Sequence, residues 1–158
     1  MSSSSSFASN SQYCPRWKYD VFLSFRGADT RRTFMGRLYE DDKRLEHGAS
    51  ISEELMKAIE ESQVALVVFS QNYATSRWCL NELVKIMDCK TQYGQTVIPV
   101  FYDVDPSHVR YQSESFAEAF AKHESRYKDD VEGMHKVKRW RIALSDAADL
   151  KGCDIRQG

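Results

Sequence analysis

An open, doubly wound α/β sheet with parallel strands is the fold class this sequence predicts, on three observations. The runs YDVFLSF (Tyr19–Phe25), VALVVF (Val64–Phe69) and TVIPVFY (Thr96–Tyr102) are too nearly continuous in apolar residues for half-exposed strands and fit strands covered on both faces. Between and after them, apolar residues recur at helical spacing. Strand and helix alternate along 158 residues, a length that can bury one core without staples.

In chain order, the Ser-rich stretch from Ser2 to about Gln12 has too few apolar side chains to repay its ordering. Residues 1–16 are therefore expected to be a flexible tail and residues 17–158 the domain. After the first strand a helix is expected from about Asp29 to Glu40, with Phe34 and Leu38 at i and i+4. It runs into DDKRLEHGAS with no apolar run of strand length before Ile51. A right-handed βαβ walk needs a strand there. Its absence would leave Tyr19–Phe25 as an exposed sheet edge.

The next helix opens at Ser50, which forms a capping box with Glu53 ahead of Ile51, Leu55 and Ile59. Another starts near Ser76 with Leu80, Leu83, Val84 and Met87 on its apolar stripe; Phe116 and Phe120, then Val137, Trp140 and Leu144, mark two more. Pro99 cannot donate a ladder hydrogen bond and weakens the case for the third strand.

Composition closes several function classes. Lys and Arg total 22 against 23 Asp and Glu, a net charge of −1, so no overall field gathers nucleic acid or an anionic membrane. Neither partner is expected. Cys14, Cys79, Cys89 and Cys153 form no CxxC pair and read as reduced structural thiols. The start MSSSSSFASN lacks the regions of a secretory signal, and Ser2 excludes myristoylation at that site. No apolar run reaches the roughly 18 residues that span a bilayer. The expected compartment is cytoplasm or nucleus.

Two clusters invite functional readings that local chemistry answers more simply. His108 with Asp103 and Asp105 could hold a metal, but Asp-Pro turns place solvated carboxylates for backbone reasons, and no metal site is expected. The basic run HKVKRWR (His135–Arg141) carries Val137 and Trp140 on a buried stripe, which leaves its charges on a solvated helix face. Neither GxGxxG nor GxxxxGK[ST] occurs.

Four segments, YDVFLSFRGADTRRTF (Tyr19–Phe34), DDKRLEHGASISEEL (Asp41–Leu55), AIEESQVALVVFSQNYATSRWCLNEL (Ala58–Leu83) and VIPVFYDVDPSHVR (Val97–Arg110), follow one another in order. Together they resemble the successive boxes of plant Toll/interleukin receptor (TIR) domains, close to those of the tobacco-type virus-resistance receptors. The resemblance covers nearly everything after Trp17. It implies a flavodoxin-like five-stranded parallel sheet in a receptor of innate immunity, self-association with other TIR domains, and hydrolysis of NAD+ at its nicotinamide bond. NAD+ would be substrate, and no cofactor is implied. The family's catalytic glutamate falls on Glu82. Its NAD pocket falls on Phe25, Arg26 and Gly27 of the first box and on Ser76 and Trp78 ahead of the glutamate, and a mobile lid falls on Asp41–Gly48.

Against that family pattern, the end of the first helix and the second strand are missing between Glu40 and Asp41. Gly36 and Arg37 replace a Ser-His pair at a self-association face. The chain stops at Gly158, before the family's last helix, and whether CDIR (Cys153–Arg156) forms the fifth strand is open. These departures imply low or absent cleavage by the chain as it stands.

The implied chemistry is physically sound. Nicotinamide leaves as a neutral molecule from a cationic pyridinium, so little acid help is needed, and one held carboxylate stabilises an oxocarbenium-like transition state. Glu82 is expected in the first turns of its helix, where the macrodipole favours the ionised form. It is also expected to be solvent-exposed, so that Glu82→Ala would spare the melting temperature. Arg26 could bind an anion or pair with Asp29, and Trp78 could wall a pocket or simply pack. A non-catalytic TIR–TIR interaction module, adaptor or decoy, is the alternative, separated by nicotinamide release. A receiver-type phosphoacceptor is disfavoured, because Ser70 and not an Asp follows Val64–Phe69.

Overall fold

The structure, a computed structural model, describes residues 17–26, 39–40 and 53–155. Strands β1 (Tyr19–Ser24), β2 (Tyr39–Glu40), β3 (Ser62–Phe69), β4 (Thr96–Tyr102) and β5 (Cys153–Ile155) form one sheet in the order β2-β1-β3-β4-β5. Every neighbouring pair is parallel. The helices are α1 (Glu53–Glu60), α2 (Arg77–Tyr93), α3 (Pro106–Tyr111), α4 (Ser115–Arg126) and α5 (Val131–Ala148), with a 3-10 turn at Tyr73–Thr75. This is the flavodoxin-like order, with strand β1 inside the sheet and the crossover between β2 and β3.

The expected apolar runs are strands to within a residue or two, and apolar character on both faces explains why. Residues alternate in side: Phe22, Ala65, Val67, Phe69, Val97 and Phe101 join a core built with α1, α2, α4 and α5. Leu23, Phe25, Val68 and Val100 form a second, smaller cluster.

One expectation is corrected. The second strand is not absent: Tyr39 and Glu40, expected at the end of a helix, pair with Phe22 and Leu23 of β1. The edge of β1 is therefore covered at those two positions. A strand of 2 residues pairs through main-chain groups and is too short to show a period of 2, so the sequence carried no trace of it. The remainder of the expected first helix, Ile51 with its Ser50 cap, the tail and residues 156–158 lie outside the described residues.

The open question over CDIR is answered for Cys153–Ile155, which pair with Val100–Tyr102. Pro99 sits against Val67 in the β3–β4 register and just before the β4–β5 ladder begins. Gly152 packs on it so closely that an added Cβ would lie 2.0 Å from the Pro99 carbonyl oxygen. Helix α2 ends at Gly94, whose φ of 73° closes a left-handed cap with its N–H on the Lys90 carbonyl.

Candidate functional site

Ser24 is the last residue of β1, a hydroxyl at the end of the strand's buried half Phe22–Ser24, and it is fully buried. It meets the first turns of α2. The Ser24 hydroxyl donates to Glu82 Oε1 at 2.8 Å, and the Trp78 indole Nε1–H donates to Glu82 Oε2 at 2.9 Å. Trp78 and Glu82 stand four apart on one helix, so the second bond is an i, i+4 contact. Tyr73, in the 3-10 turn, places its hydroxyl 2.9 Å from Ser24 Oγ and donates to the Cys79 carbonyl at 3.1 Å.

Burial dominates the electrostatics. Glu82 and Tyr73 are 0% exposed and Trp78 is 8% exposed. Burial pushes the Tyr73 phenol well above the usual range; its neighbours Cys79 and Glu82 add to the rise, and the Ser24 hydrogen bond opposes it. The phenol therefore stays protonated and remains a donor. Both oxygens of the Glu82 carboxylate are held by donors in a buried site in the second turn of α2. A fixed carboxylate in low dielectric can stabilise developing positive charge without reorganising.

The expected site residues fall as follows. Ser76 caps α2, its side chain accepting the Cys79 N–H at 3.1 Å, and is buried. Phe25 is 2% exposed and its carbonyl accepts from Cys79 Sγ at 3.5 Å. Arg26 is half-buried just past β1. Phe25, Ser76, Trp78 and Glu82 are thus brought together where β1 ends and α2 begins, at the carboxyl ends of the strands, where open α/β sheets bind ligands. Gly27 and the lid Asp41–Gly48 lie outside the described residues.

The expected exposure of Glu82 is corrected. The buried stripe of α2 runs through Cys79, Leu83, Ile86 and Cys89, and Glu82 lies on it, whereas Val84 and Met87 are only partly buried. Ser24 and Tyr73 were missed. The available signal was a lone hydroxyl in a buried strand, which needs a partner.

Elsewhere, Asp105 caps α3 by accepting the Ser107 N–H at 2.8 Å and hydroxyl at 2.7 Å. Among the described residues no group of His, Cys, Asp and Glu could hold a metal. Val137 and Trp140 are buried while His135, Lys138 and Arg139 are exposed, as the helix period requires. Cys79, Cys89 and Cys153 are free thiols. No helix among the described residues is long and apolar enough to cross a membrane.

Comparison with known proteins gives this geometry a family. The TIR domain family matches residues 18–157. TMV resistance protein N of Nicotiana glutinosa is 69% identical over 153 residues, covering 89% of this chain and 13% of that protein. Disease resistance protein RPV1 of Vitis rotundifolia is 52% identical over 167 residues, covering 96% of this chain and 12% of that protein. The chain thus spans about an eighth of the length of these relatives. The TIR domains in the structure of the activated Roq1 resistosome, which directly recognizes the pathogen effector XopQ, superpose with a TM-score of 0.77 at 52% identity, covering 87% of each chain. A sheet ordered β2-β1-β3-β4-β5, a buried carboxylate where β1 meets α2, and these relatives agree: the chain belongs to the TIR domain family.

Proposed function

We propose that this chain is a signalling TIR domain of plant innate immunity that cleaves the nicotinamide bond of NAD+ when it self-associates with other TIR domains, with Glu82 as the catalytic residue. The observation that carries this reading is the Glu82 carboxylate, held at both oxygens by Ser24 and Trp78 at the carboxyl ends of the strands. In the reaction the bond between ribose C1′ and the pyridinium nitrogen breaks, and its electron pair leaves on neutral nicotinamide. Glu82 stabilises the positive charge left on the ribosyl carbon, water adds to that carbon, and one proton is released, giving ADP-ribose. Phe25, Arg26, Ser76 and Trp78 would form the pocket, together with Gly27.

Burial supports the link to self-association. Glu82 is 0% exposed, so substrate reaches it only after the groups around it shift, and assembly supplies a cause for that shift. The resistosome neighbour contains several TIR domains, which supports homotypic partners.

The same burial favours a second reading. A carboxylate satisfied on both oxygens and shut from solvent also fits a structural role in a non-catalytic TIR–TIR interaction module. Nicotinamide release by concentrated protein, compared with Glu82→Gln, separates the two: only the catalytic reading expects a glutamate-dependent signal.

A further inference from the structure

We propose that Ser24 is a positioning residue for Glu82: it ties the carboxylate to the sheet and fixes its orientation for the cleavage proposed above, on which this inference rests. Trp78 cannot do this alone, because it lies on α2 with Glu82 and moves with it. Ser24 belongs to β1, where it sits in register with Val67 of β3, so its bond to Oε1 at 2.8 Å crosses from helix to sheet. Sites held by rigid elements are positioned more closely than sites held by loops.

The direction of the bond follows from the neighbours. Glu82 as a carboxylate only accepts, and the Tyr73 phenol, 2.9 Å from Ser24 Oγ, is held protonated by its burial. The single Ser24 proton therefore points to Oε1, with the phenol on the lone-pair side of Oγ. The phenol's one proton is shared between Ser24 Oγ and the Cys79 carbonyl, so Tyr73 links the end of β1 to the start of α2.

The test uses the whole chain as wild type, Ser24→Ala, Ser24→Thr and Tyr73→Phe. Nicotinamide release gives kcat and KM, thermal melting reports folding, and hydrogen exchange of the 15N-labelled Trp78 indole N–H reports how firmly Glu82 is held. Misplacing a catalytic group by about 1 Å can cost roughly a hundredfold. Ser24→Ala is expected to lower kcat about tenfold or more while KM moves less than about twofold, and to speed indole exchange. Ser24→Thr keeps the hydroxyl on a residue suited to strands and is expected to restore both. Tyr73→Phe keeps the Ser24 bond and falls between, and it carries the test with Ser24→Thr if the alanine variant does not fold.

A folded Ser24→Ala with kcat and indole exchange unchanged overturns the proposal, as does a folded Ser24→Thr impaired as badly as alanine. If no variant releases nicotinamide, the wild type included, the proposed function fails instead, and indole exchange still decides whether Ser24 holds Glu82.

Discussion

Replacing Glu82 with alanine leaves two buried donors, the Ser24 hydroxyl and the Trp78 indole N–H, facing an empty space where a carboxylate stood. An orphaned buried donor costs about 1–3 kcal/mol, so the pair costs roughly 2–6 kcal/mol before any relaxation. For a domain of this size each kcal/mol moves the melting point by about 2–4 °C, and Glu82→Ala is expected to melt roughly 10 °C below wild type. Glutamine differs. Its carbonyl can take the Trp78 indole bond while its amide donates to Ser24 Oγ. The Ser24 proton then turns to the Tyr73 oxygen, and the Tyr73 proton to the Cys79 carbonyl at 3.1 Å. The donors that faced the carboxylate are re-housed, and what is lost is the charge-assisted part together with the cost of housing the amide's second N–H, about 1–3 kcal/mol in all, or several degrees. Differential scanning calorimetry of the three proteins reads this directly. Equal melting points for alanine and wild type would show that the carboxylate is not integrated into the core.

Two further outcomes follow from single contacts. His123 donates from Nε2 to the Ala74 carbonyl at 2.7 Å and packs edge-on against Trp140; burial lowers its basicity, Arg77 and Arg126 lower it further, and the Ala74 bond only partly opposes this. Because the folded imidazole resists protonation, its contribution to stability is complete above the unfolded value of about 6.5 and is lost as pH falls through the lower folded value. Urea melts at pH 7.5 and 5 should show a smaller acid-side loss for His123→Gln than for wild type, and equal losses would contradict it. Gly152→Ala would put a Cβ 2.0 Å from the Pro99 carbonyl oxygen, forcing β5 off β4 at a cost of about 1–3 kcal/mol. A wild-type urea midpoint for that variant would count against the close approach.

Legibility followed the physics of each element. Strands β3 and β4 and most of β1 were readable because parallel strands, covered on both faces, are apolar at every position. Strand β2 was not, since a strand of 2 residues is too short to show a period. Helix α3 went unread because its 6 residues bury a single side chain, Val109. At the site, the start of α2 near Ser76 was legible, and the Ser76 side chain caps that helix. The burial of Glu82 was misjudged through phase: a stripe drawn through Leu80, Leu83, Val84 and Met87 puts Glu82 at its border, while the stripe through Cys79, Leu83, Ile86 and Cys89 puts it inside. An acidic residue three after one buried position and four before another marks a group that must find donors inside the fold. The partners Ser24 and Tyr73 come from elements 58 and 9 residues away along the chain, and no local pattern joins them.

The central claim, that the carboxylate of Glu82 carries nicotinamide-bond cleavage, is tested most directly by a single-turnover assay with concentrated protein in excess over NAD+, comparing wild type with folded Glu82→Gln. Nicotinamide and ADP-ribose are expected from the wild type, and a rate lower by about a hundredfold or more in the glutamine variant, which keeps the shape of the site and lacks the charge. Equal rates in the two proteins would contradict it.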